Sequence, residues 1–86
     1  MATKRDICEA AYREHLRFKS HRPDVLYFIR LGDFYETYDD DAELVARRLG
    51  LAVTHREPPA PAALAGLPYT RANEQLRALV QAGYKV

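Results

Sequence analysis

Apolar positions recur at three- and four-residue intervals from Asp6 to Lys19. Ile7, Ala11 and Leu16 fall on one stripe, with Cys8 one turn before Tyr12. This predicts an amphipathic helix capped by Asp6. Pro23 pushes Arg22 out of the helical region and ends it. Residues 25–31, VLYFIRL, are β-branched and aromatic and apolar on both faces until Arg30. That run predicts an interior strand covered on both sides. Gly32 and Asp33 follow as a two-residue turn with glycine in the type II′ position. FYETY, 34–38, is then the returning strand.

The segment DDDAELVARRLG, 39–50, is marked as a helix at both ends. Asp39, Asp40 and Asp41 suit the positive end of the dipole, and Arg47 and Arg48 the negative end. Gly50 stands where a helix closes, and Leu44, Val45, Leu49 and the alanines give the buried face. LAVTHR, 51–56, reads as a short strand. The prolines of EPPAPAA, 57–63, make an extended solvated loop. LAGLPY, 64–69, re-enters the fold, and a third helix follows with Thr70 as N-cap, Gly83 as stop and Ala72, Leu76, Leu79 and Val80 as its stripe. YKV begins another strand. The order α-β-β-α-β-(β)-α-β predicts an α/β fold, a small mixed sheet packed by about three helices. Residues 1–86 form a single domain whose last strand reads as cut short, as in a fragment of a longer domain.

Composition narrows the function classes. The chain has 86 residues, 48% of them hydrophobic, and a net charge of +1. This is globular rather than disordered. A module that gripped DNA chiefly through phosphates is ordinarily more basic, so patches have to carry any such role. Cys8 is the only cysteine, which rules out an internal disulfide and reads as a structural thiol in a reducing, cytoplasmic setting. No apolar run approaches a membrane span, and the N-terminus has no apolar signal region.

Chemistry-bearing motifs are few. No phosphate-binding glycine loop, HExxH or paired CxxC is present, and His15, His21 and His55 lack ligand spacing. Asp33, Glu36 and Asp39 to Asp41 could ligate a metal in a nuclease, but the nearest lysine in sequence is Lys19, on another element. Turn and helix-start roles account for those aspartates more simply. The stretch RLGDFYETY raises a different question. Phe34 and Tyr35 are adjacent, so in a strand they point to opposite faces. One of the rings is outside, beside Glu36. The bland readings are a core phenylalanine and a solvated acid.

These residues form a pattern. PDVL at 23–26, RLGDFYE at 30–36, DDA at 40–42, VTHR at 53–56 and AGLPY at 65–69 stand in order and at close to family spacing. In them the chain, from about residue 9 to its end, resembles the N-terminal mismatch-recognition domain (domain I) of the MutS family of DNA mismatch-repair proteins. The resemblance implies that Phe34 is a wedge entering the minor groove and stacking on a mispaired or unpaired base. It implies that Glu36, two residues on and sharing its face, hydrogen-bonds to that base, while Tyr35 faces the fold. Inserting a ring unstacks a base step, which costs a few kcal/mol and least where pairing is already faulty. Base–aromatic stacking returns roughly 1–3 kcal/mol. Arg30, Arg56 and Arg71 are candidates for phosphate contact, with solvated surface charge as the equal alternative.

The chain departs from the family pattern in places. Tyr38 stands where many members have Phe, Asp39 adds a charge where an aromatic is common, and Thr70 replaces a His. The loop at 57–63 is shorter and proline-rich. The resemblance implies double-stranded DNA with a mismatch or unpaired base as partner; the family's ATPase domain is not among these 86 residues, so no cofactor is expected in this chain. ATP and Mg²⁺ would bind the ATPase domain of a full-length relative. It implies a non-enzymatic module, cytoplasmic and nucleoid-associated when on DNA, either joined to the remaining domains of a longer MutS-like protein or standing alone as a relative whose role has drifted. The rival reading is a protein-interaction or regulatory module that keeps the fold without mismatch recognition and uses Phe34 as an anchor.

Overall fold

The computed structural model describes residues 1–86. Three helices, α1 (Lys4–His21), α2 (Asp39–Leu49) and α3 (Tyr69–Gln81), accompany four strands, β1 (Ile29–Leu31), β2 (Phe34–Tyr38), β3 (Thr54–His55) and β4 (Ala63–Pro68). The fold is mixed α/β as the sequence predicts. The sheet order is β1-β2-β4-β3, antiparallel throughout. Outside the sheet, one isolated parallel bridge joins Val25 to Lys85.

β4 shows why one face is buried. Ala63, Ala65 and Leu67 are buried and alternate with half-exposed Leu64, Gly66 and Pro68, the period of a strand with one wet face. Ala63 and Ala65 meet Ala42 and Ala46 of α2, and these small side chains let the helix lie close on the sheet. Leu67 packs with Val45, Leu79 and Leu26 in a second cluster, joined by half-buried Tyr35, Phe28 and Leu76. Burying each such leucine stabilises the fold by about 2 kcal/mol. α2 and α3 therefore cover one face of β2 and β4.

α1 packs across the far end of β2 instead, and polar chemistry holds it. Tyr12 donates to Asp39 Oδ2 at 2.7 Å. Lys19 Nζ reaches Asp41 Oδ1 at 2.9 Å, and His15 Nε2 lies 3.3 Å from Asp41 Oδ2. Asp41 also accepts from the Tyr27 N–H at 3.2 Å. Burial pushes the Asp41 carboxyl up, but the bonds from His15, Lys19 and Tyr27 outweigh it and hold the group below its ordinary value. Asp41 thus does more than complement the α2 dipole.

Several local expectations are corrected. Thr3, not Asp6, caps α1, and Asp6 is its reciprocal partner in a capping box. The buried face of α1 is Ala11 and His15, while Ile7, Leu16 and Cys8 are exposed, so the thiol is not a core group. Pro68, rather than Thr70, precedes the first residue of α3, and Val80 is exposed. The run at 25–31 pairs as a ladder only over Ile29–Leu31, and β1 is an edge strand, not an interior one. Leu26 N–H bonds instead to the Lys85 carbonyl. The loop at 57–62 turns, with the Ala60 N–H bonded to Glu57 O, rather than running extended. No helix is long and apolar enough to cross a membrane.

Candidate nucleic-acid interface

The β1–β2 hairpin builds the site. Leu31 pairs with Phe34 across Gly32 and Asp33. Gly32 has φ +58 while Asp33 keeps a negative φ, the φ pattern of a type II′ turn. Both turn carbonyls are engaged: Arg30 Nε donates to Gly32 O at 3.0 Å, and the Tyr69 N–H donates to Asp33 O at 2.8 Å. The second bond ties the turn to the start of α3.

Strand parity then sorts the side chains. Cross-strand partners share a face, so Phe34, Glu36 and Tyr38 lie with Pro68, Gly66 and Leu64, and with Ile29 and Leu31 from β1. Tyr35 and Thr37 lie on the opposite face with Leu67 and Ala65. Phe34 is 47% exposed, whereas Tyr35 is half-buried against the core. Of the two adjacent rings, Phe34 is therefore the one outside. Its face is apolar at Ile29, Leu31, Leu64 and Pro68 and carries one acid, Glu36.

Two residues on this face escaped the sequence reading as parts of the site. Gly66 lies opposite Glu36, and a Cβ built there would stand 3.5 Å from Phe34 Cδ1 and 4.0 Å from Glu36 Cγ. The ring leans over the glycine. Tyr38 donates its hydroxyl to Glu36 Oε1 at 3.1 Å. The ring of Tyr38 is 1% exposed and is met edge-on by Tyr12 and His15. Burial first, and the Glu36 carboxylate next, push its phenol well above the ordinary range. The AGLPY motif pointed to Gly66, and the period of two placed Tyr38 beside Glu36.

The three candidate arginines are scattered. Arg30 pairs with Tyr35, on the face opposite Phe34. Its guanidinium lies 4.9 Å from the Tyr69 ring centroid and 5.8 Å from that of Tyr35. Arg71 sits in the first turn of α3, near the turn that carries Phe34, with Glu74 3.8 Å away. The Arg56 N–H bonds to Ala62 O, six residues along β4 from Pro68, the partner of Phe34. Strand rise puts it roughly 20 Å from Phe34. The acids do not converge either. Asp41 is buried under α1, Asp39 serves Tyr12 and the Ala62 N–H, and Glu36 serves Tyr38. No group of three or more His, Cys, Asp or Glu side chains is arranged to hold a metal ion.

The fold and this face define a small α/β domain that presents an aromatic residue and an acid together at the exposed end of a sheet face whose other end α1 covers. Residues 9–86 match MutS domain I, and the chain belongs to that family. It is 45% identical over 75 residues to the DNA mismatch repair protein MutS of Lawsonia intracellularis, which covers 85% of this chain and 8% of the relative. The corresponding protein of Symbiobacterium thermophilum is 45% identical over 78 residues, covering 87% of this chain and 9% of the relative. The Pseudothermotoga lettingae protein is 45% identical over 74 residues, with 86% and 9% covered. The chain thus spans under a tenth of the length of these relatives.

Proposed function

We propose that this chain is a DNA-binding module of mismatch repair that recognises mispaired or unpaired bases, with Phe34 as the minor-groove wedge and Glu36 as the acid that bonds the displaced base. One observation carries the reading: Phe34 and Glu36 share a sheet face that is exposed at Phe34 and half-buried at Glu36, in a chain of the MutS domain I family. A ring on a braced hairpin is aimed before DNA arrives, which cuts the ordering cost of binding. Glu36 works by difference. It offers an acceptor to an unpartnered base proton and repels a helix whose bases are already paired.

The scattered arginines support a division of labour. Phosphate attraction supplies most non-specific affinity, and the Phe34 face has little of it. The module is a probe, and it acts as part of a longer MutS-like protein whose other parts hold the duplex.

The test is an NMR titration at low salt with a duplex carrying one unpaired thymine and with its fully paired parent. Shifts centred on residues 30–40, larger for the unpaired duplex and abolished by Phe34→Ala, support the reading. Shifts insensitive to Phe34→Ala, or none with either duplex at millimolar DNA, overturn it in favour of a protein-interaction module.

A further inference from the structure

We infer that Tyr38 is a positioning residue for Glu36, an inference that rests on the role proposed above for that acid. Tyr38 is the last residue of β2, two beyond Glu36 and on the same face. Its ring cannot move freely. It is 1% exposed, and Tyr12 and His15 of α1 hold it edge-on with centroids at 5.4 and 5.2 Å. The hydroxyl at the end of that fixed ring donates to Glu36 Oε1 at 3.1 Å.

The consequence is a carboxylate that is half committed. Glu36 has three rotatable bonds, and a free glutamate on a strand would sample many orientations at an entropic cost on ordering. The bond from Tyr38 selects one orientation and satisfies one oxygen. Oε2 has no partner in the protein and is left for a base proton. A phenylalanine at this position would fill the same buried space between Tyr12 and His15 but could not make the bond. α1 is thereby coupled to the site, since it fixes Tyr38 and Tyr38 fixes the acid.

The experiment uses Tyr38→Phe in the full chain, which keeps the buried ring. In the DNA-free protein, side-chain scalar couplings of Glu36 are expected to report one dominant rotamer in the wild type and averaging in Tyr38→Phe. Unchanged couplings overturn the inference. A double-mutant cycle with Glu36→Ala then follows the ratio of affinities for unpaired-base and fully paired duplexes. Loss of a hydrogen bond to a charged group predicts that Tyr38→Phe lowers this ratio about tenfold and changes nothing further in the Glu36→Ala background. Independent, multiplicative effects overturn the positioning role. If the wild type shows no preference between the duplexes, the proposed function fails, and the rotamer measurement alone decides Tyr38.

Discussion

The ring of Phe34 rests on Gly66, the residue directly across from Glu36 on β4. The clearance is one methyl wide. An added Cβ meets Phe34 Cδ1 at 3.5 Å, an ordinary contact, and Gly66 is not among the glycines with positive φ. Gly66→Ala is therefore expected to fit, and to stabilise the domain by about 0.4–1 kcal/mol by restricting the unfolded chain. Gly66→Val places branches where the ring lies and is expected to lift Phe34 and erase the preference for unpaired bases. Thermal melts and ring-to-methyl NOEs separate the two outcomes.

Removing the acid should alter discrimination more than affinity. Glu36→Ala is expected to tighten binding to fully paired duplex, because a negative charge leaves the DNA side. It is expected to weaken binding to an unpaired-base duplex, where a hydrogen bond to a charged group worth roughly 1.5–3 kcal/mol is lost. Anisotropy titrations with both duplexes at one salt concentration check this crossing.

Arg30 and Arg71 differ in a way that salt can read. Arg30 faces away from Phe34, stacked on Tyr69 and bonded to the turn. Arg71 stands exposed near that turn. Arg71→Ala is expected to reduce the slope of log affinity against log salt by about 0.9, one phosphate contact. Arg30→Ala is expected to leave the slope intact and to loosen the amides of residues 32–34, seen in NMR order parameters.

The Asp41 network gives a defined acid limb. The carboxyl lies below its ordinary value of 3.8 in the fold. Its contribution is complete above 3.8. As pH falls further the unfolded chain takes the proton first, and the contribution is lost as pH drops through the native value. Asp41→Asn leaves Lys19, 19% exposed, without its counter-charge, at an expected cost of about 3 kcal/mol at neutral pH. It should also flatten the fall in stability below pH 3.8. Denaturant midpoints from pH 2 to 7 for both proteins measure the difference, in which exposed Asp24 cancels.

Asp39 is the one non-glycine residue with positive φ, at +54. Aspartate tolerates that conformation better than most residues. Here its side chain also accepts from Tyr12 at 2.7 Å and from the Ala62 N–H at 3.0 Å. Asp39→Ala is expected to destabilise by about 2–3 kcal/mol, from the left-handed strain and the lost bonds. Asp39→Asn, which keeps an acceptor and the tolerance, is expected to cost less. The same pair of variants should lower the Tyr12 phenol, which burial and Asp39 push up to about 12, in an ultraviolet titration.

What the sequence disclosed was what local chemistry determines. The span of α2 followed from its aspartates, arginines and Gly50, because dipole and C-terminal preferences act within a turn. The face shared by Phe34 and Glu36 followed from the period of two. Residues 25–28 misled because an apolar run reports burial and not pairing. Tyr27 and Phe28 are half-buried against helices and loops, outside the β1–β2 ladder. Gly66 depends on the register of β4 against β2, a relation between residues 30 apart in the chain. Arg30 was within reach. Once a two-residue turn joins Leu31 to Phe34, Arg30 must lie opposite Tyr35, on the face away from Phe34.

The Phe34 face holds rings, aliphatic side chains and one carboxylate, while Arg56 stands at the far end of the sheet and Arg30 behind it. If Phe34 acts as the proposed wedge, such a surface is expected to test base steps without clinging to them, since little on it attracts phosphate. A short dwell time on intact duplex, and a longer one only at a step that yields to the ring, is then the expected kinetic signature, readable as dissociation rates from the two duplexes.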